Sequence, residues 1–317
     1  MIISASRRTD IPSFYSEWLF NRIKAGYAYV RNPMNPQSIS EVSLSPDLVD
    51  GIVFWTKNPS PMLHRLDELR DYVYYFQFTL TPYGTDIEKN LPSKDDVIIP
   101  AFQKLSSLIG KERVIWRYDP ILLSDRYTML YHIEHFRAYC GRLAGYTEKC
   151  TISFLDLYRN IKRNIDPLGI RPLTSGQAEE LTGGFCDIAK EHGIYIDTCA
   201  EEIDLGRFGV GHAACIDKER FERIGNYKLS IERDKNQRAA CRCVSSIDLG
   251  AYNTCGNGCV YCYANFNQTP VDRCRGEYNP SSPLLCGGID ENDIIKPREM
   301  KSFRDGRLDL FERCDIR

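Results

Sequence analysis

The sequence lacks a large net charge and a long apolar run. Its 41 Lys and Arg residues nearly balance 43 Asp and Glu residues, so a net charge of -2 gives no overall attraction to nucleic acid or anionic lipid. No apolar run approaches the ~18 residues of a membrane-spanning helix, and Met1-Ile2-Ile3-Ser4 does not begin a signal peptide. These absences predict a cytoplasmic protein without a membrane partner and argue against a nucleic-acid partner.

Histidine is scarce, and a dinucleotide-binding motif is missing. None of the five His residues forms an HxxxH pair, and His132 and His135 are expected on a partly exposed helix face. No GxGxxG follows the first predicted strand, which weakens the case for a dinucleotide-binding fold. Carboxylates and histidines are not clustered as a hydrolase would require.

Cysteine is absent before Cys140 and abundant after it. The chain has 13 Cys, an odd number, and eight of them lie in its last quarter. In a reducing compartment, clustered thiols indicate metal or redox chemistry more often than a disulfide framework. The chemistry is therefore expected in the C-terminal part of the chain.

Apolar segments of strand length alternate with helical patterns over the first two thirds of the sequence. A small hairpin is expected over 27–44, and the other strands and helices are expected at 2–5, 12–25, 51–55, 60–71, 73–80, 95–109, 113–116, 127–143, 151–155, 174–192 and 194–198. Six strand–helix units predict an α/β fold, a partial (β/α)6 TIM-like barrel. Residues 1–207 would form this barrel. Residues 208–317 would form a C-terminal cysteine-rich cap on its rim, with a strand at 246–249 beside the barrel.

Polar residues follow several of the predicted strands. In a parallel barrel these strand ends share one rim, which predicts a polar pocket for a charged small molecule. Arg117 and Asp119 are the favoured catalytic candidates, although a buried Arg–Asp network is an equal alternative. Glu201 is a candidate for acid/base chemistry. The remaining candidates at this rim are Arg7, Asp10, Lys57 and Asn58.

The most specific motif is C-x3-C-x2-C, formed by Cys255, Cys259 and Cys262 with Tyr261 before the last Cys. Three thiolates can hold three irons of a [4Fe-4S] cluster and leave the fourth iron open for chemistry. The alternatives are an ordinary four-cysteine cluster or a zinc site, in which Cys259 and Cys262 would pair with Cys241 and Cys243.

This cysteine loop resembles the signature of the radical S-adenosylmethionine (radical SAM) enzymes. The resemblance implies a [4Fe-4S] cluster on the three loop cysteines, with S-adenosylmethionine on the open iron. Reductive cleavage would give methionine and a 5′-deoxyadenosyl radical that abstracts hydrogen from an unknown small-molecule or macromolecular substrate. An electron donor such as flavodoxin or ferredoxin is implied, and Tyr261, Tyr263 and Asn265 become candidate cofactor contacts.

Further motifs resemble an uncharacterised bacterial family, domain of unknown function 1848. They are Ser4-Ala5-Ser6-Arg7-Arg8-Thr9-Asp10, Phe54-Trp55-Thr56-Lys57-Asn58 and Ile115-Trp116-Arg117-Tyr118-Asp119-Pro120.

Four other cysteines are candidates for a second metal site. Cys199, Cys215, Cys241 and Cys243 could hold a second iron-sulfur cluster or a zinc ion, and the alternative is four small buried core residues. Two other functions stay open beside the radical enzyme. One is a non-catalytic iron-sulfur electron carrier or sensor, and the other is a metal-stapled barrel hydrolase.

Overall fold

The computed structural model describes residues 1–158 and 161–305. The described residues contain eleven strands: β1 (Ile2–Ala5), β2 (Tyr27–Asn32), β3 (Asn35–Ser43), β4 (Gly51–Thr56), β5 (Tyr74–Thr79), β6 (Val114–Ile121), β7 (Lys149–Phe154), β8 (Tyr195–Thr198), β9 (Gly211–His212), β10 (Ile247–Asp248) and β11 (Ile294–Pro297). Their α-helices are α1 (Ile11–Phe14), α2 (Ser16–Ala25), α3 (Ile99–Ile109), α4 (Met129–Leu143), α5 (Lys162–Ile165), α6 (Ser175–Glu191), α7 (Lys218–Gly225) and α8 (Gln268–Gly276). The other helical segments are 3-10 helices at Ser60–Leu69, Lys111–Arg113, Asp166–Leu168 and Gly206–Phe208, and a π-helix at Lys94–Ile98.

Eight strands form one parallel sheet in the order β10-β1-β4-β5-β6-β7-β8-β9. The alternation of strands and helices correctly predicts parallel pairing, because the crossover helices return the chain to the same end of the sheet. The strand expected at 246–249 is confirmed, since Ile247 and Asp248 pair with Ile3 and Ser4. A separate sheet in the order β11-β3-β2 contains the predicted hairpin.

The predicted partial (β/α)6 barrel with a C-terminal cysteine-rich cap is wrong, because the sheet is open. Its edges are β10 and β9, two residues each, and they lie at opposite ends of the strand order. Directly after β9 the chain does not add a strand at that edge but crosses one face of the sheet, where the Cys215 carbonyl accepts hydrogen bonds from Tyr75 Oη at 2.7 Å and Gln77 Nε2 at 2.9 Å. The cysteines of the described residues lie in several separate parts of the structure, so they do not form one cap. The boundary at residue 207 stays a prediction, and residues 306–317 of the second unit lie outside the described residues.

The two faces of the sheet carry different cores. Alternate residues of β4 and β5, such as Phe54 and Phe76, join a large aromatic and aliphatic core beneath the helices. Their neighbours Val53 and Tyr75 face the opposite side. There they pack against Cys215 and other residues of the segment 213–246 between β9 and β10, called the covering segment below. Burial on both faces explains why these strands are nearly continuous apolar runs in the sequence.

The helix predicted over 12–25 is broken at Tyr15, which has φ -133° and separates α1 from α2. The Tyr15 ring is buried, and its hydroxyl donates to the carbonyl of Thr254 at 2.7 Å. The break therefore positions a side chain that holds the segment leading into the cysteine loop.

Cys274 and Cys286 are joined by a disulfide beside this part of the chain. Among the described helices, none combines the length and apolar character needed to cross a bilayer.

His132 is fully buried, so its expected place on a partly exposed helix face is wrong. Its Nε2 contacts the Leu122 carbonyl at 2.8 Å and its Nδ1 contacts Tyr118 Oη at 2.8 Å. A neutral imidazole satisfies both contacts, with Nε2 donating and Nδ1 accepting. Burial lowers the pKa of His132 from 6.5 to about 4.

We expect His132 to make the fold acid-sensitive. The folded state binds this proton more weakly than the unfolded chain, so stability is intact above pH 6.5 and declines as the pH falls toward 4. The loss amounts to about 3 kcal/mol by pH 4. Urea unfolding across this range should show that the free energy of unfolding depends less steeply on pH in His132→Gln than in wild type. The control His64→Gln, at an exposed position, should follow wild type. Equal slopes for His132→Gln and wild type would contradict this assignment.

Candidate functional site

The cysteine loop lies against the carboxyl edge of the sheet and the segment that follows β5. Asn90 donates its backbone N–H to the Asn257 carbonyl at 3.2 Å and its side-chain amide to the Gly256 carbonyl at 2.8 Å. The backbone N–H of Val260 donates to the Ile87 carbonyl at 3.0 Å. The position of the loop is thus fixed largely by backbone hydrogen bonds, independently of its thiols.

Asp10 joins the ends of two strands to the loop. Its Oδ2 accepts the Lys57 backbone N–H at 2.8 Å and the Asn257 side-chain amide at 3.0 Å, while its Oδ1 accepts the Ser13 N–H at 3.0 Å and caps α1. Burial raises the pKa of Asp10, and these donors oppose the increase. The Asp10 carboxylate, predicted to bind a cofactor, therefore accepts its hydrogen bonds from groups of the protein itself.

The loop cysteines are half-buried, and N–H donors approach the sulfurs of Cys255 and Cys262. Backbone N–H groups of Asp10 and Asn257 are directed at Cys255, and those of Ala264 and Asn265 are directed at Cys262. Burial raises the pKa of the loop thiols to about 12 for Cys255 and Cys259 and to about 11 for Cys262. Without a cation these thiols stay protonated at neutral pH, and metal binding is what would deprotonate them.

The surroundings of the loop suit an iron-sulfur cluster. Hydrogen bonds to cysteine sulfur tune and stabilise such clusters. Two further buried polar atoms beside the loop, Thr9 Oγ1 and Asn265 Oδ1, have no hydrogen-bond partner. Asn265 uses its amide nitrogen to hold the Cys255 carbonyl at 2.7 Å, so its oxygen remains available to a bound molecule.

Within residues 1–158 and 161–305, no three or more His, Cys, Asp or Glu side chains are placed to hold a single metal ion. A [4Fe-4S] cluster makes a different geometric demand, because each thiolate binds its own iron and the sulfurs need not surround one point. The metal roles of Cys255, Cys259 and Cys262 stay predictions.

A buried charge network connects the loop to the sheet. Glu88, whose side chain is 0% exposed, accepts from Lys57 Nζ at 2.6 Å and also contacts Lys94 and the Tyr261 hydroxyl. Lys57 Nζ lies 2.9 Å from Tyr261 Oη. The ammonium groups of Lys57 and Lys94 outweigh the desolvation of Glu88 and lower its pKa to about 2.

Glu88 and Lys94 were missed by the sequence reasoning. The only available signal was their place shortly after β5, on the same edge as the other strand-end residues. Two of the predicted residues, Lys57 and Tyr261, are brought together by this network, although Tyr261 makes protein contacts through its hydroxyl.

Arg7, Asn58 and Tyr263 have different surroundings. Tyr263 donates to the Arg7 carbonyl at 2.8 Å, and the Arg7 guanidinium lies within electrostatic range of both Tyr263 and Cys243. Asn58 accepts the Ser60 N–H at 3.2 Å and so completes a local turn away from the loop thiols. Arg7 and Tyr263 are therefore better placed than Asn58 to contact a molecule at the loop.

Arg117 and Asp119 pair with each other at the end of β6. Arg117 Nε is 3.0 Å from Asp119 Oδ2, and Asp119 also accepts from Ser153. Arg117 Nη1 donates to Gln77 Oε1 at 3.3 Å and to Cys215 Sγ at 2.9 Å. The structure thus contains the buried network that the sequence left as the alternative, and Arg117 reaches a thiol as well.

The four cysteines predicted as a second metal site come together on the face of the sheet that carries Tyr75. Cys199 and Cys215 place their sulfurs 3.1 Å apart. Cys215 contacts Cys243, and Cys243 contacts Cys241. Their proximity is consistent with the predicted grouping, whereas their role as metal ligands stays a prediction.

A cavity of about 330 Å³ opens at the carboxyl ends of β7 and β8. It is lined in part by Glu201, Asp156 and Arg238, and the last two form an ion pair. Glu201 accepts the Phe154 N–H at 2.9 Å, and burial raises the pKa of Glu201 to about 7.

The Tyr158 hydroxyl is 3.4 Å from Asp156, and its ring centroid lies 5.8 Å from that of Tyr263. The cavity is thereby connected to the loop through aromatic contacts.

Comparison with known proteins yields one family match. A family described as "Domain of unknown function (DUF1848)" matches residues 2–264, which include the β-sheet strands β1 to β10 and the whole cysteine loop. No curated protein matches the chain.

Proposed function

The chain belongs to the DUF1848 family, whose description names no activity, and from the chemistry of its own residues we propose that it is a radical S-adenosylmethionine enzyme. The observation that carries the proposal is the cysteine loop. It holds three half-buried thiols on C-x3-C-x2-C spacing at the carboxyl edge of a parallel sheet, and N–H donors approach two of them. Ligands of open α/β sheets bind outside the carboxyl ends of the strands.

The proposed centre is a [4Fe-4S] cluster on Cys255, Cys259 and Cys262 with one iron open. When bound, it would supply one electron to the sulfonium of S-adenosylmethionine, which breaks into methionine and a 5′-deoxyadenosyl radical. The chain contributes the three thiolates, a scaffold that holds the loop without using them, and buried surroundings that keep water from a reactive species.

Residues around the loop are assigned supporting roles. Lys57 lies within electrostatic range of Cys259, so its ammonium offsets negative charge on a bound centre and favours the reduced state. Arg7 can pair with a carboxylate of the cosubstrate, and the unpartnered Asn265 Oδ1 can accept a hydrogen bond from an amine or hydroxyl. Tyr263 presents an aromatic face, 43% exposed, on which an adenine ring could stack.

The cavity beside Glu201 is the proposed substrate site. Glu201 there accepts the Phe154 N–H, and its carboxyl group lies in a partly buried polar setting with Asp156 and Arg238. Such a site suits a polar substrate that offers hydrogen-bond donors. Glu201 is assigned the role of holding that substrate, and it would be correctly placed to exchange a proton with it.

Release of 5′-deoxyadenosine tests the proposed function. Protein purified and reconstituted without oxygen should show iron-sulfur absorbance, and after reduction with dithionite it should convert S-adenosylmethionine to 5′-deoxyadenosine and methionine. S-adenosylmethionine should also change the EPR spectrum of the reduced cluster. An intact cluster with neither product nor spectral change would favour an electron carrier or sensor. Zinc without iron-sulfur absorbance would favour the structural zinc site.

A further inference from the structure

Four cysteines from three chain segments, three of them buried and Cys199 half-buried, meet on the face of the sheet that carries Tyr75. Cys199 follows β8, Cys215 follows β9, and Cys241 and Cys243 lie in the covering segment before β10. Sulfur contacts link them in the order 199, 215, 243, 241, and the first contact measures 3.1 Å. Cysteines that serve only as small core residues need not contact one another. The continuous contact between these four sulfurs therefore indicates a further role.

The sulfurs receive the hydrogen bonds that stabilise thiolates. Arg117 Nη1 donates to Cys215 Sγ at 2.9 Å, and the backbone N–H of Ile216 donates to Cys243 Sγ at 3.3 Å. The backbone N–H of Cys243 is directed at Cys241. Cationic and N–H donors toward sulfur are the outer contacts that metal-bound cysteines use.

The backbone that carries these thiols is held in place by the sheet. The Cys215 carbonyl accepts from Tyr75 and Gln77 of β5, and Val244 N–H donates to the Ile216 carbonyl at 3.1 Å. The covering segment is thereby fastened on both sides of the group. A metal centre here would join the ends of β8 and β9 to a segment more than 25 residues further along the chain.

We infer that Cys199, Cys215, Cys241 and Cys243 form a second thiolate metal site, separate from the loop, that takes either one Zn²⁺ ion or a second iron-sulfur cluster. Four thiolates are a complete ligand set for both. Because the sulfurs form a chain of contacts and do not surround one point, loading requires their side chains to rotate about Cα–Cβ. Arg117 and Arg7, which lie beside Cys215 and Cys243, offset the negative charge of the loaded site.

Metal analysis of matched variants tests this site independently of the radical chemistry. The full chain is purified anaerobically from cells supplied with both iron and zinc. The variant Cys255→Ala/Cys259→Ala/Cys262→Ala should retain about one zinc or about four irons per chain. Cys241→Ala/Cys243→Ala should lose that metal and keep the loop's iron-sulfur absorbance. Cys140→Ala, which removes a buried thiol from the other face of the sheet, should match wild type.

The metal found identifies the centre, and its absence overturns the inference. Zinc in the loop variant indicates a single ion, and iron with cluster absorbance indicates a second cluster. A loop variant with no bound zinc or iron, or unchanged metal content in Cys241→Ala/Cys243→Ala, would refute the site. Should the latter variant fail to fold, Co²⁺ titration of the metal-free loop variant decides the matter. A thiolate-to-cobalt charge-transfer band supports the site, and a spectrum without that band rejects it.

Discussion

Replacing Cys259 with Ala should abolish 5′-deoxyadenosine formation and remove the loop's iron-sulfur absorbance. Changes to residues that only contact metal ligands typically cost about 10–100-fold in affinity or activity, so losing a direct thiolate should exceed that range. The loop should nevertheless stay in place, because the Asn90 amide groups, the Ile87 carbonyl and the Asp10 carboxylate hold residues next to the cysteines. The measurements are product release, iron content and far-UV circular dichroism.

Cys140→Ala is the matched control for this experiment. Cys140 is a buried cysteine of the core beneath the helices, away from the loop. It should keep wild-type iron content and product release even if its stability decreases through loss of packing. A Cys259→Ala protein that still binds its full complement of iron and cleaves S-adenosylmethionine would refute the assigned ligand set.

Replacing Glu88 with Gln should destabilise the fold by about 3–5 kcal/mol. The change keeps the side-chain shape but removes the negative charge between the ammonium groups of Lys57 and Lys94. An uncompensated buried cation is more costly than loss of an exposed ion pair, because little solvent is available to replace the partner. Urea unfolding monitored by circular dichroism measures the difference in free energy.

Two further variants isolate the role of the buried charge. Glu68→Gln breaks the pair with Arg65 at a partly exposed position and should change stability by no more than about 1 kcal/mol. Adding Lys94→Met to Glu88→Gln removes one of the uncompensated cations and should recover part of the loss. If Glu88→Gln were no more harmful than Glu68→Gln, the network would not have the energetic role assigned to it.

The Glu88 network also makes a prediction about acid. Lys57 and Lys94 lower the pKa of this carboxyl group to about 2, from 4.5 in the unfolded chain, against the opposing effect of burial. Its contribution is therefore complete above pH 4.5 and is lost as the pH falls toward 2. The acid-induced loss of stability between these values should be smaller in Glu88→Gln.

Local patterns predicted the strands well because each is a short apolar run between helix-length segments. The open sheet was not predictable in the same way. Whether the sheet closes into a barrel depends on the path of the chain after β9. No local sequence pattern shows that Cys215 packs back onto Tyr75 and Gln77. Counting six strand–helix units gave the direction of the strands but not the shape of the sheet.

In the candidate site, too, motifs within one segment could be predicted from the sequence, whereas contacts between residues far apart in the chain could not. The spacing of the loop cysteines is visible in the sequence, as is the position of Lys57 at a strand end. Glu88 has no motif around it, and its importance comes only from contacts with Lys57, Lys94 and Tyr261. Arg117 and Asp119 were predicted either as catalytic residues or as a buried network. The structure shows that they pair, and their catalytic role stays a prediction.

The position of β10 beside β1 has a consequence for biosynthesis. Ile3 pairs with Ile247, so β1 has to wait for β10 to be synthesised before this edge of β1 is covered. At about 5–20 residues per second, ribosomes need on the order of 12–50 s to span that interval. The thiols of the loop then emerge after the other strands of this sheet have been synthesised. If the loop takes the proposed cluster, that cluster would therefore be inserted into a sheet whose strands have already been synthesised.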